Sequence, residues 1–251
     1  VFRTVRATRY VTPLREGGSL PAIIEADDQR LYVLKFRGAG QGVKALVAEL
    51  IAATLAKELS LNVPEPVLVE LDGTLGRNER DSEIRELLLQ SGGLNVGFEY
   101  LAGALTYEPL AGPPLEVQLA SDIVWFDALV MNVDRTVKNP NLLWWRGALW
   151  LIDHGASLYF QHDWGSALER AASLFSQVKH HVLLPLAGGL DAAHARLSSR
   201  LPGEAFERAV ASVPAEWLGA HRADYLQCLA ARAAAAPAFV EEAKRARAAL
   251  L

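Results

Sequence analysis

The sequence predicts an α+β fold in two parts, with a β-rich first part over residues 1–110 and a mostly helical second part over 111–251. Three observations lead there. Short runs of β-branched and aliphatic residues, bounded by turn signals, fill the first hundred positions. A Pro/Gly segment at 111–116, AGPPLE, then interrupts the chain. Beyond it, alanine- and leucine-rich stretches recur at helical spacing to the end.

The elements follow in order. PAIIEAD and RLYVLKF read as strands of a hairpin turning at Asp27-Asp28, and GAGQG breaks the chain before a helix over Val43–Leu59. PVLVEL is a strand ended by Asp72-Gly73, followed by a polar helix over Ser82–Gln90 and a strand over Val96–Leu101. In the second part Leu115–Met131 is a helix, and NLLWW and ALWLI form a hairpin turning at Arg146-Gly147. From Ala167 onward the helices are broken at Gly188-Gly189, Pro202-Gly203 and Pro237.

Composition narrows the function classes. Of 251 residues 51% are apolar and 22% charged, which excludes a disordered or collagenous chain. No apolar run reaches the roughly 18 residues of a membrane helix, and the basic start VFRTVRATRYV carries no secretory h-region. The lone Cys228 excludes an internal disulfide and a multi-cysteine metal site. A net charge of −4 argues against broad nucleic-acid binding. The expectation is a soluble cytoplasmic protein without a membrane partner.

Only six of the 25 basic residues are lysines, so a lysine inside an apolar strand stands out. Lys35 is that residue: Leu31, Val33 and Lys35 share one face and Tyr32, Leu34 and Phe36 the other, which predicts a covered strand and a need for an anionic partner. Glu49 fits, lying on an apolar helix face among Ala45, Leu46, Ala52 and Ala53 with no cation at i±4. A strand lysine followed by a helix glutamate matches the ion pair that serves ATP phosphates in protein kinases. The other reading of Lys35 is a strand-end lysine reaching for water.

The stretch FDALVMNVDRTVKNPNLLWW…LWLIDHGASL carries more. Asp134 and Asn139 have the D-x-x-x-x-N spacing of a kinase catalytic loop, and Asp153 begins Asp-His-Gly where a metal-binding D-F-G would stand. With the turn at Arg146-Gly147, Asn139 and Asp153 fall at the open end of one hairpin, two oxygen ligands of a kind that suits Mg²⁺. Asp134 is then positioned to accept a proton from an attacking hydroxyl. The competing reading is an Asn/Asp-rich turn without chemistry.

VLKF, VAELIAATLAKELSLNVPEP, NVGFEYLAG, NVDRTVKNPNLLW and LIDHGASL together resemble the HipA-like kinases, a bacterial family related to the phosphatidylinositol 3/4-kinase-like group. The resemblance spans roughly residues 15–160, and D-R-x-x-K-N is its specific part. It implies a bilobal protein-kinase-like fold and ATP- and Mg²⁺-dependent transfer of a phosphoryl group to a hydroxyl, a protein Ser or Thr by analogy. It also implies that Lys35 contacts ATP phosphates, Asp134 is the catalytic base, and Asn139 with Asp153 holds the metal. Thr136 departs from the family, which usually has His there, and the chain is shorter than full-length HipA toxins. Two further function classes stay open: a non-catalytic nucleotide-binding module, and a kinase acting on a lipid or small-molecule hydroxyl.

Lesser features follow. Gly17, Gly18 and Ser19 form either a plain turn or an amide cover for phosphates. Phe98, Glu99, Tyr100 and Leu101 occupy the place of an adenine-binding hinge or of an ordinary strand end. Lys138 either touches the γ-phosphate or is solvated. Asp127, enclosed by apolar neighbours, is expected to accept hydrogen bonds from the catalytic loop, with Arg135 a candidate donor. His180-His181 reads as helix surface rather than a metal site, and Trp144, Trp145 and Trp150 as packing of the helical part. Cys228 reads as inert core, and EEAKRARAALL as a solvated helix face.

Overall fold

The computed structural model describes residues 2–14, 20–76, 80–109 and 112–250. Its first part is a closed five-stranded barrel built from β1 (Thr4–Pro13), β2 (Ala22–Ala26), β3 (Leu31–Lys35), β4 (Pro66–Leu71) and β5 (Gly93–Glu99). The strand order is β1-β2-β3-β5-β4, and a parallel pairing of β1 with β4, with Val5 opposite Val69, closes the ring. Two helices interrupt the strands, α1 (Val43–Glu58) and α2 (Ser82–Gln90).

Side chains of alternating residues fill the barrel: Val5 and Ala7 from β1, Ile24 from β2, Tyr32 and Leu34 from β3. Gly97 is required there, because a Cβ at that position would lie 2.7 Å from Val69 Cγ2. Strand β1 is not among the expected elements, since its outward positions carry arginines. These pair across the sheet, Arg9 with Glu25 at 2.7 Å and Arg6 with Glu70 at 3.7 Å. Strand β5 also begins earlier than expected, at Gly93, because Asn95 uses its side chain to bind the Arg37 N–H at 2.8 Å and the carbonyls of Ser91 and Gly93. The expectation that both faces of β3 are covered is corrected: Leu31 is exposed, and the Val33–Lys35 face opens onto a cleft.

Helix α1 is apolar all round because it is buried all round. Every residue from Leu46 to Ala53 is buried between the barrel and the helices of the second part. Arg200 caps its end by donating to Leu59 O at 3.0 Å and Glu58 O at 3.1 Å, and Arg208 pairs with Glu58 at 2.9 Å.

The second part opens with the short β6 (Leu105–Thr106) and α3 (Val117–Val130), followed by the hairpin β7 (Leu142–Trp145) and β8 (Ala148–Leu151). Its turn has the positive φ expected of a tight hairpin, 50° at Arg146 and 78° at Gly147. Then come α4 (Ala167–Ala171), α5 (Leu190–Ser198), α6 (Gly203–Ala211), α7 (Ala215–Leu218), α8 (Arg222–Ala234) and α9 (Ala236–Ala248). One apolar core runs from α1 through α3 to α9, so it crosses the expected division of the chain. That boundary, between residues 110 and 111, lies outside the described residues. No helix among the described residues is long and apolar enough to cross a membrane.

Arg232 on α8 is wholly buried and meets no carboxylate among the described residues. It donates to Ala128 O at 3.0 and 2.7 Å, to Ala171 O at 3.2 Å and to Ser173 O, and its guanidinium lies 4.3 Å from the Phe239 ring centre. It thus joins the C-terminal ends of α3 and α4, where carbonyls lack helical partners and favour a cation. Burial pushes its pKa down to about 9.

Of the three tryptophans only Trp144 packs on the core. Trp145 and Trp150 meet edge to face at 5.1 Å instead, with Arg146 stacked 4.1 Å over Trp145, because they alternate onto the other face of the hairpin. Cys228 is buried core, its thiol pushed up to about 11 by burial. The cations of α9 are solvated and paired, Lys244 with Glu241 at 2.8 Å and Arg245 with Glu242 at 2.7 Å.

Candidate active site

A cleft of about 1270 Å³ lies where the barrel meets the β7–β8 hairpin, and Lys35, Glu49, Asp134, Asn139 and Asp153 all line it. Lys35 ends β3 with its Nζ 2.7 Å from Asp153 Oδ2 and 3.3 Å from Glu49 Oε1. The other Glu49 oxygen accepts the His154 N–H at 2.9 Å, so this one carboxylate touches both parts of the chain. Burial alone would lower the Lys35 pKa, but Glu49 and Asp153 together raise it. Burial raises Glu49 to about 7 against the opposing pull of Lys35. Asp153 is held below the usual carboxylate range because Lys35 outweighs its burial.

Asp153 follows β8 in a left-handed conformation, φ 55°, which a non-glycine residue adopts at a local cost. The conformation directs its backbone into Asp-His-Gly. A Cβ at Gly155 would lie 3.4 Å from Glu49 Oε1 and 3.6 Å from Ala45 Cβ, so the chain passes close against α1 there.

The loop holding Asp134 starts at Met131, the left-handed cap of α3 (φ 55°). Asn132 bonds Asp127 Oδ1 at 3.1 Å and accepts the Asp134 N–H at 3.1 Å. Asp134 Oδ2 receives the Asn139 amide at 2.7 Å and the Asn141 amide at 3.4 Å. With its nitrogen so engaged, Asn139 keeps Oδ1 as an available oxygen ligand. Half-burial, reinforced by the Asp153 charge, raises the Asp134 pKa. Thr136 has a positive role in this loop, since its Oγ accepts the Asn139 N–H at 3.3 Å.

Behind the loop sits a buried polar hub. Arg135 donates to Asp127, to the carbonyls of Asn141 and Ile152 (3.3 Å to the latter), and to His154 Nε2 at 3.0 Å. It therefore ties α3, the Asp134 loop and the Asp153 segment together. Burial works upward on Asp127, but Arg135 and His181 hold its pKa far below the carboxylate range. Burial and the Arg135 charge lower His154 to about 3, so the ring is neutral and accepts from Arg135.

His181 corrects the sequence reading. His180 is exposed, but His181 is buried, with Nε2 2.9 Å from Asp127 Oδ2 and Nδ1 accepting the Leu183 N–H at 3.0 Å. That acceptor role places the ring proton on Nε2, facing Asp127. His181 also forms an antiparallel bridge with Thr136. The sequence signal, two adjacent histidines, did not distinguish the inward ring from the outward one. The reach of Arg135 to His154 and the bond from Lys44 Nζ to Gln161 O at 2.8 Å were likewise unread.

Phe98, Glu99, Tyr100 and Leu101, the expected hinge, line the same cleft, as does Lys138. The Glu99 N–H is taken by Glu65 O and the Tyr100 N–H by Leu31 O, both at 3.0 Å. The Leu101 N–H has no partner among the described residues. Gly17, Gly18 and Ser19 lie outside the described residues.

The fold is shared with kinases of known structure. A Helicobacter pylori proinflammatory kinase, CtkA, superposes with a TM-score of 0.60 at 12% identity, each chain covered in full. The Golgi casein kinase with Mn/ADP bound gives 0.51 at 12% identity, covering 99% of this chain and 74% of that one. A second structure of the Golgi casein kinase gives 0.51 at 12% identity, over 96% of this chain and 72% of that one. No curated protein sequence matches. Residues 8–237 match the sequence profile of the HipA-like kinases, and with that span the chain belongs to the HipA-like kinase family.

Proposed function

We propose that this kinase transfers the γ-phosphoryl group of ATP, with Mg²⁺, to a Ser or Thr hydroxyl of a protein, the barrel (1–110) and the helical part (111–251) acting as its two lobes. One observation carries the reading: Lys35, Glu49, Asp134, Asn139 and Asp153, distant in sequence, converge on one cleft. Carboxylates outnumber cations along that cleft, and the oxygens of Asn139 and Asp153 form a donor set that suits Mg²⁺. The Mn/ADP held by the Golgi casein kinase is in keeping with this pairing of metal and nucleotide.

In this reading Lys35, oriented by Glu49, binds phosphate oxygens, while Lys138 stays exposed at the mouth of the cleft. The Leu101 N–H, without a partner among the described residues, offers a donor to the adenine edge, with Phe98, Glu99 and Tyr100 forming the rest of the hinge. When bound between Asn139 and Asp153, the metal neutralises phosphate charge. The acceptor oxygen bonds to the γ-phosphorus as the bond to the β–γ bridging oxygen breaks. The hydroxyl proton passes to the Asp134 carboxylate, and ADP leaves. Asn139 and Asn141 hold that carboxylate in place throughout.

The test is ADP release and phosphotransfer at saturating ATP by the wild type and Asp134→Asn. General-base contributions of about 10²–10⁴ predict a loss of roughly 3–5 kcal/mol in transition-state stabilisation, in kcat and kcat/KM together. ATP affinity should hardly change. A variant keeping more than about a tenth of the wild-type rate would remove Asp134 from the mechanism, and absence of ADP release by the wild type would favour a nucleotide-binding module.

A further inference from the structure

Four of the six lysines have partners. Lys35 meets Glu49 and Asp153, Lys44 donates to Gln161 O, Lys57 pairs with Glu65, and Lys244 pairs with Asp191 and Glu241. Lys138 and Lys179 are both exposed, and neither has an ion-pair or hydrogen-bond partner among the described residues. They are not scattered. The Thr136–His181 bridge is antiparallel, so Val137-Lys138 leaves it at the end where Lys179-His180 enters. The Val182 N–H bonds Arg135 O at 3.1 Å and holds the two segments together. His180, exposed and equally without a partner among the described residues, adds a third donor. Asp134 lies four residues before Lys138 on the same loop, bonded to the next residue, Asn139, at 2.7 Å.

This rim departs from the rest of the surface chemistry. The chain carries a net charge of −4, yet 136–139 and 177–182 contain no Asp or Glu. Lys138 and Lys179 thus set two unpaired positive charges side by side at the outer end of the loop that carries Asp134, where they can attract an acidic segment. The same segments hold no Phe, Tyr or Trp, and one exposed imidazole with two lysines is little for a nucleic-acid track.

We propose that Lys179, His180 and Lys138 form a docking rim for an acidic acceptor segment, a peptide whose hydroxyl residue is flanked by carboxylates. The proposal names the substrate class of the site and so rests on the kinase reading. Its test measures binding, so the two fail separately. Exposed charge pairs each contribute roughly 1.4- to 5-fold, which sets an overall preference of about tenfold for two or three of them.

The experiment uses the full chain and two fluorescent peptides, one with glutamates on both sides of a serine and one with glutamines in their place. Anisotropy at low salt should give a dissociation constant about tenfold lower for the glutamate peptide, and the difference should shrink as salt rises. Lys179→Ala should lose about 2- to 5-fold, and Lys179→Glu should erase the preference while ATP affinity stays at the wild-type value. Equal binding of the two peptides, or a preference that survives Lys179→Glu, overturns the proposal. So does single-stranded RNA of equal charge competing better than the glutamate peptide, which would assign the rim to nucleic acid. Absence of ADP release would sink the kinase reading and leave this binding result standing.

Discussion

Replacing Arg135 by Met removes the cation from the buried hub while keeping most of the side-chain volume. Asp127 would then be a buried charge facing only Asn132 and His181, and the carbonyls of Asn141 and Ile152 would lose a donor. Breaking a buried pair from one side costs roughly 3–5 kcal/mol, because the remaining charge is left uncompensated. For a chain of this size each kcal/mol shifts the midpoint by about 2–4 °C, so Tm should fall by roughly 6–20 °C. The Asp127 contribution is present above the unfolded carboxylate pKa and is lost only as pH falls through its depressed folded value, so pH 7 lies on the plateau. The assay is urea unfolding followed by the fluorescence of the six tryptophans. A second variant, Arg135→Met with Asp127→Leu, removes both charges and should cost at least ~1 kcal/mol less than the sum of the single changes. A single-variant cost under about 1 kcal/mol, or strict additivity, would refute the view that this pair holds the hub together.

Asp153→Ala should abolish the Mg²⁺ dependence of ATP binding while leaving the unfolding midpoint within a few degrees, and titration of Mg²⁺ against ATP affinity reads it. Unchanged metal dependence would remove Asp153 as a ligand. His181→Ala should lower kcat without moving ATP affinity, and His181→Gln, which can still donate to Asp127, should recover part of it. Equal rates for the two variants would make His181 a packing residue only. His154, lowered to about 3, binds no proton in the folded state until well below its ordinary pKa, so it costs stability as pH falls from 6.5 toward 3. Wild type should therefore lose stability relative to His154→Phe between pH 6 and 4. Glu49, raised to about 7, gains stability on acidification, so the difference between the two proteins is the readout rather than either profile.

What the sequence could reveal was what local spacing controls. Arg146-Gly147 announces its turn because two adjacent positive φ values are needed there, and the turn fixes which residues stand at the hairpin's open end. Helix α2 was legible to the residue because Asp81 caps it, accepting the Glu83 N–H at 3.0 Å. Asp134, Asn139 and Asp153 could be picked out because chemistry confines them to one loop and one hairpin. The sequence pattern hid whatever depends on partners far along the chain. Strand β1 is recognisable only once Glu25 and Glu70 neutralise its arginines, and His181 only once Asp127, 54 residues earlier, is seen to face it. The face of Lys35 was misjudged because alternation tells which side chains align, and not whether that side meets a core or a cleft.

Arg232 gives the chain a strict order of events during its synthesis. The last turn of α3, from which the Asp134 loop departs, finds the donor for its Ala128 carbonyl on a helix 104 residues later. A ribosome-bound chain that has released Asp134, Asn139 and Asp153 still lacks the cation that seats Ala128 and Ala171, and the Phe239 ring that shelters it has yet to emerge. The barrel has every one of its strands by then and can close. The barrel is thus complete early, while the end of α3 from which the Asp134 loop leaves gains its last partner only when α8 docks.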